Sequence, residues 1–142
     1  MPEVRVYGPQ DRDQVIALWR DCGLMVPLND PAQDIALCRE SGHGEIFVAA
    51  RDGEVVASAM VGHDGHRGWL YYLAVRPAAR RCGLGRRMVT EAEAWLRRRA
   101  VPKVELMIRE SNAEVAAFWR RIGYAIEPRT VMSRRLDGKE PL

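Results

Sequence analysis

Apolar and polar positions along this chain change their period at short intervals, and each change marks an element. Val4-Arg5-Val6-Tyr7 alternates, which predicts a short strand ended by Gly8-Pro9. Over residues 11–22 the period becomes helical. Val15, Leu18, Trp19 and Cys22 recur at three- and four-residue spacing, and Gly23 stops the run. After a loop at 24–30, Asp30 can cap a second helix with Pro31 at its first position, running to about residue 40. Residues 45–51 and 54–63 are β-rich and joined by Asp52-Gly53, a strong hairpin signal. Asp64-Gly65 turns into a further strand at about 68–75, which Arg76-Pro77 breaks. A basic, glycine-bearing loop leads into a helix to about residue 99, with Leu84, Met88, Val89, Ala92, Trp95 and Leu96 on one stripe. Residues 103–108 alternate as a strand. Ser111-Asn112 offers a cap for a helix over 113–122, which Gly123 terminates. Residues 124–127 and 131–136 predict two last strands, and the tail at 137–142 carries no pattern. The resulting order, β-α-α-β-β-β-α-β-α-β-β, predicts a single α+β domain over residues 1–142. Its mixed central sheet is expected to hold six to seven strands flanked by about four helices.

The composition removes several classes. At 142 residues, 47% hydrophobic and 29% charged, the chain is of ordinary globular type. No apolar run approaches the ~20 residues of a membrane span. The opening Met1-Pro2-Glu3-Val4-Arg5 lacks a secretory pattern, so a cytoplasmic location is expected. Cys22, Cys38 and Cys82 are odd in number and widely spaced, which reads as free thiols. His43, His63 and His66 show no ligand pairing with them, and no metal is expected.

Charge alters the picture more than composition does. The net charge is +3, yet residues 76–99 hold eight arginines against two glutamates, a net of +6. The remainder carries 14 basic and 17 acidic side chains. The positive charge surrounds Gly83-Leu84-Gly85 at a predicted helix start. Unpaired N–H groups and the positive end of the helix dipole suit an anion there, and glycine lets the backbone approach it. Arg80, Arg81, Arg86 and Arg87 add charge, so the segment reads as a cradle for a polyphosphate. It is neither a dinucleotide fingerprint, since Met88 stands where the third glycine belongs, nor a Walker A loop, since no Gly-Lys-Ser/Thr follows. Arg97-Arg98-Arg99 reads instead as a solvated helix end favoured by the dipole.

The run Leu73-Ala74-Val75-Arg76-Pro77 followed by Arg80-x-x-Gly83-x-Gly85 resembles the acyl-CoA loop of the GNAT superfamily of N-acetyltransferases. The segment from Asn112 through Phe118-Trp119 to Gly123-Tyr124 is similar to the second signature of that family. The two lie in the family's order, 27 residues apart from Gly85 to Asn112. Leu18-Trp19, Cys22, Pro27-x-Asn29-Asp30-Pro31, Asp34-Ile35, the turn from Gly62 to Gly68 and Tyr71-Tyr72-Leu73 further resemble the small bacterial acetyltransferases of the YpeA type, although Leu28 stands where that group usually has tryptophan.

The resemblance implies acetyl-CoA as donor and an amine as acceptor, with no metal. It places the backbone of Leu73, Ala74 and Val75 along the pantetheine arm, with an amide near Leu73 on the thioester carbonyl. The amides of Arg81, Cys82, Gly83, Leu84, Gly85 and Arg86 would hold the pyrophosphate, with Arg80 on the remaining phosphates. Asn112 would bond the arm, and Phe118 and Trp119 would line it. Many members carry a tyrosine seven residues after the asparagine as general acid; this chain has Trp119, whose indole N–H is no usable acid. Tyr72, Tyr124 or water could replace it, and Glu105, His66 or solvent could serve as base. Cys82 reads as loop filler.

Two other functions stay open at this level: an acyl-CoA-binding or regulatory module without catalysis, and nucleic-acid binding. The latter is weakened because the positive charge is confined to one segment with no interleaved aromatics. No membrane partner is expected, and both monomer and homodimer fit. The acceptor is not legible; the stretch from Trp19 to Asp34, with Met25, Pro27, Leu28, Asp30 and Asp34, would wall its site.

Overall fold

A computed structural model describes residues 2–139 and divides the chain into two compact units, residues 1–107 and 108–142. The first unit holds a five-stranded sheet in the order β1-β2-β3-β4-β5: β1 (Glu3–Val6), β2 (Gly44–Arg51), β3 (Glu54–His63), β4 (Gly68–Val75) and β5 (Val104–Glu105). Neighbours are antiparallel except β4 and β5, which are parallel. A parallel pair needs a crossover, and α3 (Leu84–Arg98) lies in it. Helices α1 (Arg12–Asp21) and α2 (Pro31–Glu40) lie between β1 and β2 in the chain. The hairpin between β2 and β3 turns on Asp52 and Gly53 at φ 51° and 79°, the two positive angles a tight two-residue turn requires.

Period-two alternation splits the strands between two cores. Ile46, Val48, Val55, Met60 and Ala74 pack with Tyr7, Val15, Leu18, Trp19 and Ile35 of the first-helix side. Helix α3 buries Leu84, Met88, Val89, Ala92, Trp95 and Leu96, the stripe its spacing predicts. It packs so tightly on β4 that a Cβ on Gly68 would lie 2.6 Å from a Leu96 methyl. At the start of α1, buried Asp11 accepts from the Arg5 guanidinium at 2.7 and 3.0 Å and from the Gly8 N–H at 2.8 Å.

The second unit contains α4 (Ala113–Arg121), capped by Asn112, whose Oδ1 accepts from the Val115 N–H at 3.3 Å. The described residues thus form an α+β structure with five strands and four α-helices, fewer strands than the expected six to seven. The strands expected at 124–127 and 131–136 are not formed. The apolar side chains of these segments bury no face: Ile126, Val131, Met132 and Leu136 are exposed. The strand expected at 103–108 shrinks to β5, which pairs only through Gly68–Val104 and Trp69–Glu105. Among the described residues no helix is long and apolar enough to cross a membrane.

Candidate active site

The short β5 shapes the site. It leaves β4 after Trp69, so from Leu70 to Val75 the outer edge of β4 has no ladder partner among the described residues. On its inner edge β4 carries a bulge. Met60 pairs with Tyr71 and Ser58 with Ala74, so Tyr72 and Leu73 together face Ala59. Tyr72 sits at φ 52°, a left-handed conformation that costs a non-glycine residue on the order of 1 kcal/mol. The bulge changes which amides face outward. The Arg76 N–H donates to Val56 O in β3 at 2.8 Å. Strand alternation then turns Ala74 toward β3 and the N–H groups of Leu73 and Val75 toward the unpaired edge.

β4 runs through Arg76 and a 3₁₀ turn, Pro77–Ala79, into the loop before α3. Arg81 (φ 67°) and Gly83 (φ 78°) are both left-handed. Gly83 is the N-cap of α3 and supplies no side-chain cap, and the first turn carries no acidic residue. A Cβ on Gly83 would meet no atom within 4 Å, so the backbone here borders open space. The first-turn N–H groups therefore gather as a positive pole without an internal partner.

The arginines around this pole divide by engagement. Arg76 is held in ion pairs with Asp21 at 3.3 Å and Glu54 at 3.1 Å. Arg87 donates to Pro2 O at 2.9 Å. Arg80, expected at the phosphates, turns back: its Nε donates to Val75 O at 2.9 Å and its Nη2 reaches Cys22 Sγ at 3.9 Å. Arg81 and Arg86 are exposed and have no ion pair or side-chain hydrogen bond among the described residues. Cys82 is exposed, with Sγ donating to Ala79 O at 3.0 Å.

Two of the expected acid and base residues, Tyr72 and Glu105, are already partnered. Tyr72 donates its phenol proton to Asp34 Oδ2 at 2.6 Å. Burial, and then that bond and the charge of Asp34, hold the phenol well above its ordinary pKa, which suits it poorly to giving up a proton near neutrality. Glu105, half-buried on β5, is ion-paired with Arg67 at 3.5 Å. His66 is exposed, and its backbone N–H, rather than its ring, donates to Asp64 Oδ1 at 2.9 Å. In the second unit, Trp119 is buried, with Phe118 at 5.3 Å and Tyr124 at 4.9 Å between ring centroids.

Sequence reasoning missed one group beside the bulge. Trp19 stacks on Tyr72 at 3.7 Å and 8° between planes. Its Nε1 donates to Ser58 Oγ at 2.9 Å, and Ser58 Oγ donates to Tyr72 O at 2.9 Å. The available signal was a lone serine in an otherwise apolar strand, Val55-Val56-Ala57-Ser58-Ala59-Met60-Val61.

An unpaired strand edge that leads into an uncapped, arginine-flanked helix start suits an extended ligand carrying an anion, and comparison with known proteins makes the class specific. The family description "Acetyltransferase (GNAT) family" matches residues 12–124. The chain belongs to this acetyltransferase family. An acetyltransferase of Yersinia enterocolitica is 38% identical over 136 residues, covering 94% of this chain and 95% of that protein. An acetyltransferase of Pectobacterium atrosepticum is likewise 38% identical over 136 residues, with 94% and 95% covered. Among solved structures, the aminoglycoside N-acetyltransferase AAC(6')-Iy in complex with CoA aligns with a TM-score of 0.83 over 96% of this chain and 95% of that one. At 14% identity, that last likeness speaks for the fold alone.

Proposed function

We propose that this protein transfers an acetyl group from acetyl-CoA directly to a primary amine of a small molecule or peptide. The observation that carries the reading is the continuity between the unpaired β4 edge, with the amides of Leu73 and Val75 facing out, and the uncapped start of α3. An arm hydrogen-bonded along Leu73–Val75 leads its diphosphate to the N–H groups of Gly83 to Arg86, with Arg81 and Arg86 as counter-charges. The Leu73 amide would donate to the thioester carbonyl and steady its oxygen as negative charge grows there. The amine nitrogen bonds to the carbonyl carbon, the C–S bond breaks, and CoA leaves as thiolate. The amine proton passes to solvent or to a base. A thiol with an ordinary pKa of about 8.5 leaves tolerably as thiolate, so the chemistry does not demand a protein acid in place of Trp119. The expected contributions of Asn112 and Phe118 to arm binding belong to the same proposal, as does the YpeA-type subgroup.

AAC(6')-Iy, in complex with a bisubstrate analogue, and glucosamine-6-phosphate N-acetyltransferase of Arabidopsis thaliana show the range of amines that this fold serves. Neither name selects the acceptor here. Titration calorimetry with acetyl-CoA tests the donor: measurable binding supports the reading, and no binding sinks it. A thiol-release screen over amines then tests transfer.

One observation favours a second reading, an acyl-CoA-binding module without catalysis. Tyr72 is committed to Asp34 and Glu105 to Arg67, so two of the three acid–base candidates of the first unit are engaged. Tight CoA binding with no thiol release across the amine panel would select this alternative.

A further inference from the structure

Asp11 and Ser58 are the buried polar residues of the described chain, and Ser58 is fully buried. Asp11 has an evident duty at the start of α1. Ser58 lies instead beside the bulge, and its hydroxyl uses both donor and acceptor capacity. It accepts from Trp19 Nε1 and donates to Tyr72 O, each at 2.9 Å. A bulge interrupts the ladder and leaves main-chain groups to be satisfied otherwise. The Ser58 hydroxyl supplies the donor for the Tyr72 carbonyl from the facing strand. Trp19 then covers the Tyr72 ring, while Asp34 accepts from its phenol oxygen at 2.6 Å. Three residues, Trp19 from α1, Asp34 from α2 and Ser58 from β3, thus grip one left-handed residue of β4 at its ring face, its hydroxyl and its carbonyl. An apolar pair in place of Trp19 and Ser58 could fill the same volume, but it would leave the carbonyl without this donor.

We propose that Ser58, Trp19, Tyr72 and Asp34 form a bracket that holds the β4 bulge in the shape that turns the Leu73 amide outward, making them positioning residues for acyl transfer. The inference rests on the proposed reaction, because it presumes that the Leu73 amide meets the thioester carbonyl. None of the four touches the reacting atoms in this account. They act through the backbone that Leu73 shares with Tyr72. Asp34 lies in the first turn of α2, so the bracket also ties the bulge to the stretch expected to wall the acceptor.

The test compares Ser58→Ala, Tyr72→Phe, Asp34→Ala and Asp34→Asn with the unaltered protein. Thiol release is followed with the best amine of the panel, and the affinity for desacetyl CoA is measured by calorimetry. A misplacement near 1 Å costs about a hundredfold in rate, so Ser58→Ala is expected to lose roughly ten- to a hundredfold in kcat. Its affinity for CoA should stay within about twofold, since the phosphate cradle is untouched. Tyr72→Phe and Asp34→Ala remove the same hydrogen bond. They should lose less, and their double variant should lose no more than either single one. Asp34→Asn keeps an acceptor oxygen and should recover most of the loss.

Unchanged kcat in the folded variants overturns the bracket, as does a parallel fall in kcat and CoA affinity that tracks lost melting temperature. If Ser58→Ala does not fold, the Tyr72 and Asp34 variants decide. If the unaltered protein fails to bind CoA, the proposed function falls. If it binds without turnover, the readout becomes the Leu73 amide resonance. That resonance should respond differently to acetyl-CoA and CoA in the unaltered protein and alike in Ser58→Ala. Equal responses in both proteins overturn the bracket.

Discussion

At the start of α2, Asp30 accepts from the N–H groups of Ala32 at 2.9 Å and Gln33 at 3.2 Å, and Asp34 adds a second carboxylate to the first turn. At the start of α3 stands Gly83, with no side-chain cap, and Arg81, Arg86 and Arg87 surround it. Both ends present the same orphan N–H groups and the same positive pole. The chain satisfies the first with its own carboxylates and crowds cations around the second. The second arrangement disfavours the protein on its own, which makes it informative. A helix start that opposes its dipole over a 15-residue helix is stabilised by an external anion.

Placing a carboxylate at the second site should erase the contrast. Gly83→Glu forces a side chain onto a left-handed residue at φ 78° and sets a negative charge in the cradle. Acetyl-CoA binding should fall below detection in calorimetry, the largest effect of the set. Arg86→Glu separates ligand from scaffold. Loss of a charge-assisted contact worth roughly 1.5–3 kcal/mol should weaken acetyl-CoA about ten- to a hundredfold. The same change should stabilise the unliganded protein by about 0.3–1 kcal/mol, seen as a higher melting temperature without ligand. A lower one would show that Arg86 serves the fold.

Asp11, at the start of α1, sharpens the contrast through pH. The Arg5 guanidinium and the Gly8 N–H hold its carboxyl below the ordinary carboxylate range against the opposing effect of burial. A depressed folded pKa adds stability that is present above the unfolded pKa of about 4 and lost as pH falls through the folded value. Melting temperature should drop on acidification below about pH 4, and that drop should be smaller in Asp11→Asn. Asp30→Ala is the mildest test. It removes a cap worth about 1 kcal/mol, lowers stability, and leaves acetyl-CoA affinity unchanged.

How much of this could be read from residues alone differs by region. β4 at Gly68–Val75 and α2 at Pro31–Glu40 match their sequence boundaries because turn residues and a proline-bearing cap bracket them. The uncapped, arginine-flanked start of α3 was legible because glycine spacing and arginine density are local signals. The engagement of those arginines was not local. Arg87 reaches Pro2 and Arg76 reaches Asp21, partners far away in the chain. The bulge was hidden because no glycine or proline marks it. A tyrosine takes the left-handed angle there, imposed by Trp19, Asp34 and Ser58 from three other elements. The last two strands were over-read because short apolar clusters at 124–126 and 131–132 suggested strands, while Ile126, Val131, Met132 and Leu136 remain exposed. The two-residue length of β5 depends on where β4 and β5 part, which alternation cannot show.

The three thiols stand in unequal surroundings, and that inequality offers a chemical handle. Burial, followed by the charge of Glu45, pushes the Cys38 thiol up to about 11, so almost none is thiolate near neutral pH. Cys22 is half-buried with Sγ toward Val75 O at 3.6 Å, while Cys82 is exposed between Arg81 and Gly83. Brief treatment with a maleimide dye should therefore attach one label per chain, at Cys82, as peptide mass spectrometry would show. A fluorophore there reports on the cradle from within, without removal of the other cysteines.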